Sequence, residues 1–545
     1  MAIGGNGGFP MRWDIVLVFA VCALSAFGDA YPHAVLSNGR SSVIVYHPDA
    51  TNGYYRSSRF VSASMMRASY GGVNCFSDYR VPHDPLRQDA ASGCAEEFSM
   101  PIGFENAAAG GPFLKVGVGV LTRPDGKPYD FSREYAVRDA GRWTVQSGPM
   151  WSESVHEAAF DGYAYRYRRR ITLSNYGFIV EHALSNAGKK TIVSSHYAHN
   201  FFSINGKPIG PGYAVNCNFY LMTGNKQPLL TAFGASDIRF LRAFGSNESF
   251  GAYPAGLVSN CIDAAVCVSL QDAGGIIIRP RYPVQKTFFF AVSNAFCPEF
   301  FYSLNCAPGS NASWSTRYEF TKGRTPFRND VIERNSKRGI RSISIDGKEF
   351  GEYTPDKRMY RIVKFSGDNA RPRVSAAATR TLDAVRITQA AVPGTALIVF
   401  RSGTVSAEYA IAFKRSSLAA VNASTAGANP PVNTLDGDLE TSWSGEGEQW
   451  ISFDLGAARK LTGIGIAWRA GDKRRYRYSV AVSPDNSAWK SVYSGESTGR
   501  TNDIETALFP ASVGRYVRID GQGNNLNRWN NITETIFITD EGVVQ

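Results

Sequence analysis

Hydrophobic and polar positions alternate with a period of two over many short segments of this chain. Residues 163–173 form one such segment, and residues 341–345 form another, which runs into an Asp346-Gly347 turn. Side chains two positions apart share one face of a β-strand, and no segment shows the 3.6-residue period of an amphipathic helix. Runs rich in Val, Ile, Thr, Tyr and Phe are separated by Gly, Asn, Asp and Pro. This pattern predicts an all-β protein.

The chain has 545 residues, which is too long for a single core, and its pattern changes along its length. Residues 31–325 contain enough strands for two large packed sheets. Residues 328–415 carry short strands at regular spacing, which predicts a small immunoglobulin-like β-sandwich that acts as a spacer. A segment rich in Ala, Ser, Asn, Gly and Pro at 416–431 then leads into a last unit at 420–540.

Residues 1–30 have the pattern of a secretory signal peptide. An apolar run at 15–24 follows Arg12, and the small residues Gly28 and Ala30 offer a cleavage site before Tyr31. The run is too short for a transmembrane helix, and no later run could span a bilayer. We therefore expect an exported protein, either secreted, periplasmic or on the cell surface, with no integral membrane segment after signal cleavage.

The formal net charge is +11, and the excess of basic residues is scattered rather than gathered in a tail. We find no motif for binding DNA or RNA, so no nucleic-acid partner is expected. An anionic polysaccharide or a membrane surface would suit the charge, and a simply solvated basic surface would explain it as well.

The predicted mature chain keeps seven cysteines. In an exported protein they can pair as Cys75–Cys94, Cys261–Cys267 and Cys297–Cys306, or they can remain reduced and buried in a large β-core. Their spacing does not indicate a zinc site.

The last unit carries several separate motifs. They are Asp436-Gly437-Asp438, Thr441-Ser442-Trp443, the segment 449–456, Trp468, the segments 480–485 and 515–519, and the segment from Trp529 to Glu534. Together they resemble the discoidin, or coagulation-factor type C, domain, which in bacterial secreted proteins corresponds to the family 32 carbohydrate-binding modules. The resemblance implies a discoidin-like jelly-roll β-sandwich that binds a polysaccharide or oligosaccharide.

The same resemblance implies a structural Ca²⁺ held by Asp436, Asp438, Thr441 and Glu534. Carboxylates, a hydroxyl and turn carbonyls are the oxygen ligands that Ca²⁺ prefers, although an ordinary Asx turn would also use these residues. No cofactor is expected for catalysis. Sugar binding would fall to loops at one end of the sandwich, where an aromatic ring and polar groups meet the ligand. The candidates are Trp468, Arg469, Lys473, Arg474, Asn525, Arg528 and Trp529.

Two of the seven histidines lie in the strand-like segment Ser195–Asn205, as His196 and His199. Residues at an odd spacing on a strand face opposite sides, so His196 should point away from His199 and serve a structural role. His199 can be a hydrogen-bonded core histidine or a general acid at a sugar site. Further along, Glu299 follows Pro298 on an apolar strand, where a carboxylate is costly unless it is paired or functional.

These features give the first unit a distant resemblance to the galactose-mutarotase-like superfamily. His199-Asn200-Phe201-Phe202, Cys297-Pro298-Glu299 and the ending from Asn305 to Phe320 carry it. The resemblance implies a β-supersandwich in which His199 is the acid and Glu299 the base of an aldose-1-epimerase-like isomerase. The second histidine and the sugar-orienting arginine of that superfamily have no match here.

A second polar set can form the rim of a cleft or belong to an exposed loop, and it consists of Arg56, Arg59, His83, Asp84, Glu96 and Glu97. If the site lies there, Arg56 or Arg59 can bind a carboxylated sugar. Three functions therefore remain open. The first is an isomerase tethered to glycan, and the second is a polysaccharide lyase or glycosidase, in which Tyr54, Tyr55 and Arg59 would take part. The third is a non-catalytic glycan-binding or adhesion protein.

Overall fold

The computed structural model describes residues 31–245, 248–425 and 429–545, and the predicted signal peptide lies outside them. As the pattern predicts, the regular secondary structure of the described chain is nearly all β-strand. Its helices are one α-helix, Asn329–Arg334, and two 3₁₀ turns, Ile204–Gly206 and Pro431–Leu435. In these same residues no helix is long and apolar enough to cross a membrane.

Contacts divide the chain into two compact units. The first contains residues 31–209, 267–285 and 290–325, and the second contains 210–266, 286–289 and 326–545. The predicted boundaries near 325 and 415 do not coincide with this division and stay predictions.

The first unit consists of several antiparallel sheets. Its strands are His33–Ser37, Ser41–Tyr46, Met66–Tyr70, Val73–Asn74, Cys94–Phe98, Pro112–Lys115, Gly119–Thr122, Val137–Asp139, Arg142–Gly148, Trp151–Phe160, Tyr163–Ser174, Gly177–Asn186, Ile192–Asn200, Gly274–Pro280, Ala295–Cys306 and Asn311–Thr321. Val266–Leu270 and Lys286–Val292 lie at the points where the chain passes between the units.

Two of these sheets matter for the site. In one, Ile192–Asn200 lies between Cys94–Phe98 and Ala295–Cys306. In the other, Gly177–Asn186 lies between Tyr163–Ser174 and Asn311–Thr321. Side chains from both sheets meet in a shared interior, where Phe98 and Tyr167 touch edge to face at 5.3 Å. This is the two-sheet packing that many alternating strands produce.

The second unit begins with Tyr213–Cys217, Thr231–Phe233, Asp237–Phe240 and Phe250–Ala252. A small sandwich follows, with a sheet of Ile340–Ile345, Lys348–Glu349 and Val374–Ala378 and a sheet of Met359–Lys364, Ala384–Thr388, Gly394–Ser402 and Val405–Arg415. Ile343, Tyr360, Ile398 and Phe413 belong to its core.

The remainder of the second unit is an eight-stranded assembly with its own core around Trp443, Phe453 and Phe537. Its strands are Ala420–Ala423, Trp443–Glu446, Gln449–Trp468, Tyr476–Ser483, Lys490–Glu496, Glu505–Asn524, Trp529–Thr539 and Gly542–Val544. Buried positions alternate with exposed ones along Tyr476–Val480, as expected for a strand with one face on a core.

Candidate functional site

Strand register brings His199 and Glu299 together. The antiparallel pairing matches His196 with Tyr302, and a bridge further along matches Phe202 with Phe296. This register places His199 directly opposite Glu299, at the closest spacing that two strands offer. Nδ1 of His199 lies 2.9 Å from Oε1 of Glu299. The two residues that the sequence predicts as partners are therefore in direct contact.

His199 is almost buried, with 12% of its side chain exposed, and Glu299 is buried. Burial lowers the pKa of His199, but the charge of Glu299 and the hydrogen bonds to Glu299 and Glu97 together raise this pKa above its ordinary value. Cys297 lies 3.7 Å from Glu299, and burial followed by the charge of Glu299 raises the pKa of this thiol strongly. Cys297 is therefore a neutral thiol beside the pair.

Glu97 extends the site from the neighbouring strand. Its Oε2 accepts hydrogen bonds from Nε of Arg59 at 3.0 Å and from the hydroxyl of Tyr197 at 2.8 Å. Its Oε1 accepts a hydrogen bond from Nζ of Lys115 at 3.1 Å. Burial alone would raise the pKa of Glu97, but Lys115, His199 and Arg59 lower it well below its usual range. Glu97 is fully buried, so it positions Arg59 and Tyr197 and does not contact a ligand, contrary to the prediction.

Arg59 joins this network to the surface. Its Nη2 lies 3.0 Å from Nε2 of His199, and 12% of its side chain is exposed. The guanidinium also lies over the ring of Phe131, 4.5 Å from the ring centre, and that ring is 52% exposed. An aromatic face and an arginine therefore border the approach to His199.

These contacts define where protons sit. A guanidinium can only donate, so in the contact with Arg59 the Nε2 atom of His199 accepts, and Nδ1 carries the proton that it donates to Glu299. The hydroxyl of Tyr197 also lies 3.0 Å from Nε2. Because the hydroxyl proton of Tyr197 goes to Glu97, the lone pair of Nε2 accepts from Arg59 alone. A ligand that draws Arg59 away would free Nε2 to take up a proton, while Glu299 stabilises the resulting imidazolium.

Glu96 lies next to Glu97 in the strand Cys94–Phe98, on the opposite face, and is 1% exposed. It pairs with Nε of Arg169 at 2.8 Å and accepts a hydrogen bond from Tyr167 at 3.2 Å. Its place in the interior between two sheets rules out the predicted contact with substrate. Glu96 is a structural anion whose charge Arg169 compensates.

His196 belongs to this interior cluster, which confirms its predicted structural role. Its Nε2 lies 3.7 Å from Glu96, and its Nδ1 accepts a hydrogen bond from the indole of Trp314 at 3.1 Å. Glu96, His182 and His196 are close enough to hold a metal ion. However, Nδ1 of His196 accepts a bond, so Nε2 carries the proton, and a protonated nitrogen does not bind a metal.

The other residues predicted for this site lie in different parts of the unit. Tyr54 and Tyr55 are buried, and their hydroxyls are bound to Asp78 and to the carbonyl of Gln88, so neither can act as a base. Arg56 lines a separate cleft of about 460 Å³ together with Trp143. Arg59 is the member of the set that reaches His199.

The cysteine pairs that the sequence allowed are not formed. Cys75, Cys94, Cys261, Cys267, Cys297 and Cys306 are buried thiols. The members of a pair lie in different surroundings: Cys297 contacts His199 and Glu299, while Cys306 lies 3.3 Å from the carbonyl of Ser310. The alternative of reduced, buried cysteines is the one that the structure contains.

In the C-terminal assembly, the loops at one end hold most of the predicted sugar-binding residues. Asn525 hydrogen-bonds through its side chain and backbone to Arg475, which joins the loop after Trp468 to the loop before Trp529. Trp529 is 42% exposed. Trp468 is 1% exposed and stacks on Tyr476 at 4.7 Å, so it belongs to the core and cannot bind sugar as predicted.

The basic side chains at this end differ from those elsewhere in the assembly. Within the described residues, none of them forms an ion pair, whereas Arg515 elsewhere in the assembly pairs with Asp454 at 2.8 Å. Arg469 donates to the carbonyl of Glu440 at 2.8 Å, and Arg474 contacts the hydroxyl of Tyr476 at 3.5 Å. The basic side chains are Arg469, Lys473, Arg474, Arg475, Arg500 and Arg528, which we call the basic loop cluster.

The four residues predicted to hold Ca²⁺ lie close together but do not fit the ion. The carboxylate of Asp436 accepts hydrogen bonds from the hydroxyl of Thr441 and from the amide of Asp438, both at 2.8 Å. Glu534 accepts a hydrogen bond from the amide of Gly437 at 2.8 Å. In the part of the chain that the structure describes, the three carboxylates do not converge on one point, as a shared cation requires.

Residues 417–535 match the F5/8 type C domain family. The family 32 module of AlyQ, solved in complex with 4,5-unsaturated mannuronic acid, is 43% identical, with 22% of this chain and 95% of that chain covered and a TM-score of 0.22. Truncated AlyQ with its family 32 and alginate lyase domains is 44% identical, with 22% and 31% covered and a TM-score of 0.21. A pectin-binding carbohydrate-binding module is 25% identical, with 23% and 91% covered and a TM-score of 0.22. No curated protein matches the chain.

The family match spans the motifs that suggested it. Asp436-Gly437-Asp438 forms the turn after Pro431–Leu435, and Trp443 is buried in the core of the assembly. Through residues 417–535, the chain belongs to the F5/8 type C, or discoidin, domain family, to which the family 32 carbohydrate-binding modules also belong.

Proposed function

We propose that this is an exported protein that binds an acidic polysaccharide through its C-terminal domain and cleaves it by β-elimination in its N-terminal unit. The observation that carries the proposal is the contact of Arg59 with His199 at 3.0 Å, beside the hydroxyl of Tyr197. A lyase that acts on uronates needs a cation for the sugar carboxylate, a base and an acid, and these three residues can supply them.

The proposed reaction follows from the charges of the site. Arg59 pairs with the C6 carboxylate of a uronate and so makes the C5 proton more acidic. When Arg59 turns from His199 to the carboxylate, the lone pair of Nε2 becomes free and takes that proton. The C4–C5 double bond forms, and the C4–O4 bond breaks. The hydroxyl of Tyr197, which donates to Glu97 in the free protein, turns to the departing O4 and gives it its proton. Burial, followed by the charges of Glu97 and Glu299, raises the pKa of Tyr197 far above its ordinary value, so this hydroxyl stays protonated until the reaction.

Glu299 takes part as a positioning residue. Its carboxylate fixes the Nδ1–H form of His199 and stabilises the charge that appears when Nε2 is protonated. The predicted isomerase would instead require Glu299 to act on one sugar oxygen while His199 acts on another. With their polar atoms 2.9 Å apart in one cross-strand pair, the two side chains do not leave room for a pyranose between them.

The basic loop cluster supports an acidic ligand for the C-terminal domain. Unpaired cations beside an exposed tryptophan offer charge to a carboxylate and a flat face to a pyranose ring. A relative 43% identical to this domain was solved with an unsaturated mannuronic acid, so oligomannuronate is the first ligand to test.

Catalysis is tested by mixing the full chain with oligomannuronate, oligogalacturonate and a neutral oligosaccharide. We expect new ultraviolet absorbance from the C4–C5 double bond with a uronate only. The variant Arg59→Lys should lose at least about 100-fold in rate, because a lysine cannot match the paired geometry of the guanidinium. Arg168→Lys is the control, since Arg168 pairs with Glu153 within the sheet that does not carry His199.

The other outcomes separate the competing functions. Accelerated anomer exchange in NMR without unsaturated product would support the aldose-1-epimerase-like isomerase, which His199 and Glu299 suggested. A protein that gives neither unsaturated product nor faster anomer exchange but still binds glycan would support the non-catalytic adhesion function. Binding itself is tested with Trp529→Ala, which should weaken oligosaccharide affinity about tenfold. The control is Trp489→Ala, which changes a tryptophan in the hairpin at the other end of the strand Tyr476–Ser483.

A further inference from the structure

Two basic side chains stand beside the carboxylates at which the discoidin resemblance predicts calcium. Nη1 of Arg361 lies 2.9 Å from Oδ2 of Asp438 and also donates to the carbonyl of Gly437 at 3.3 Å. Nζ of Lys414 lies 4.0 Å from Oε1 of Glu534. Arg361 thus occupies both a carboxylate oxygen and a turn carbonyl, which are the kinds of ligand that Ca²⁺ would need.

The remaining oxygens also have protein donors. Both oxygens of Asp436 are used within the turn, and Oδ1 of Asp438 accepts a hydrogen bond from the amide of Glu440 at 3.1 Å. Glu534 accepts hydrogen bonds from the amide of Gly437 and from the side chain of Gln545. A calcium ion would have to displace several of these donors to collect its six to eight oxygen ligands.

The two cations come from neighbouring strands of the small sandwich that precedes the domain. Arg361 lies on Met359–Lys364 and Lys414 lies on Val405–Arg415, and these strands pair in parallel with Val363 opposite Lys414. Both side chains therefore project from the same edge region of one sheet. With all groups ionised, the three carboxylates and two cations carry a net charge of −1.

We propose that Arg361 and Lys414 replace the structural calcium of the discoidin fold in this protein, so that the domain folds and binds glycan without calcium. The same contacts tie the turn at Asp436–Asp438 to the sandwich formed by residues 340–415. The proposal does not depend on what the N-terminal unit does.

The test measures thermal unfolding of the full chain in EDTA and in CaCl₂, with the calcium content of the purified protein. The wild-type protein should carry no stoichiometric calcium, and its melting temperature should be the same in both buffers. The double variant Arg361→Ala/Lys414→Ala exposes uncompensated carboxylates. It should melt roughly 2–4 °C lower in EDTA, and calcium should restore the loss.

The matched control is Arg386→Ala/Arg401→Ala, which removes two exposed charges from the same sandwich and should not create a response to calcium. Stoichiometric calcium in the wild-type protein, or a clear rise of its melting temperature with CaCl₂, would overturn the proposal. These two measurements need no variant, so they decide the matter even if the double variant does not fold. A double variant that stays insensitive to calcium would also contradict the replacement.

Discussion

Lys115 is a buried cation whose removal should destabilise the N-terminal unit strongly. Its side chain is 1% exposed, and its Nζ lies 3.1 Å from Glu97 and 2.8 Å from the hydroxyl of Tyr129. We consider Lys115→Met, which keeps a long apolar side chain and deletes the charge. The change leaves Oε1 of Glu97 without its charged donor, whereas Oε2 keeps Arg59.

The size of the effect follows from this partial compensation. Breaking a buried ion pair by removing one partner costs about 3–5 kcal/mol, because the remaining charge stays buried. Arg59 still neutralises Glu97, so we place the cost at about 3 kcal/mol, the lower end of the range. For a unit of this size, that is a fall of roughly 6–12 °C in melting temperature.

The same substitution at an exposed pair provides the comparison. Lys190 and Asp161 lie 2.7 Å apart, but their side chains are 46% and 64% exposed. Lys190→Met should therefore cost less than about 1 kcal/mol. The double variant Lys115→Met/Glu97→Gln should cost less than the sum of its two single changes, because both single changes break the same contact between Lys115 and Glu97.

The assay is denaturant unfolding of the full chain followed by circular dichroism. Two results would refute the reasoning. The first is a Lys115→Met variant that is as stable as Lys190→Met. The second is a double variant that loses as much as the sum of its single changes, because then no coupling joins Lys115 to Glu97.

Three further predictions concern titration and packing. Glu299→Gln should move the acid limb of any N-terminal activity to lower pH, because the carboxylate raises the pKa of His199; a pH–rate profile that does not move would contradict this. Burial lowers the pKa of His156 to about 4, so the unfolded chain takes up this proton first. The contribution of His156 to the free energy of unfolding is fully present above about pH 6.5 and is lost as pH falls toward 4. Between pH 7.5 and 5 this loss is about 2 kcal/mol. Urea midpoints measure it, and His156→Gln should flatten the dependence. Trp468→Ala should cost about 3–5 kcal/mol of stability, because the buried ring stacks on Tyr476. Glycan affinity of the folded protein should stay unchanged.

The C-terminal domain was the more predictable part, because its motifs are specific and span most of its length. Trp468 shows where such reasoning stops. The strand register shifts between Ala467 and Trp468, and both residues are buried. A bulge of this kind breaks the period of two, so counting along the strand cannot tell which face a residue takes.

In the N-terminal unit, the sequence predicted His199 and Glu299 as partners but missed the rest of the network. Tyr197 could have been found, since it is two residues from His199 and therefore shares its face. Lys115 could not, because a lysine gives no sequence signal of burial and its partner lies on another strand. Glu96 and Glu97 looked alike in the sequence, and only the sheet shows which of them faces the site.

The strand Cys94–Phe98 carries a different cluster of polar side chains on each of its two faces. Glu97 serves the site, while the adjacent Glu96 anchors the interior. For protein engineering, this means that the two faces of the strand can be changed independently. Even-numbered and odd-numbered positions of this strand can be varied as separate libraries, one for activity and one for robustness. A deletion or insertion of one residue would instead exchange the two carboxylates and spoil both functions together.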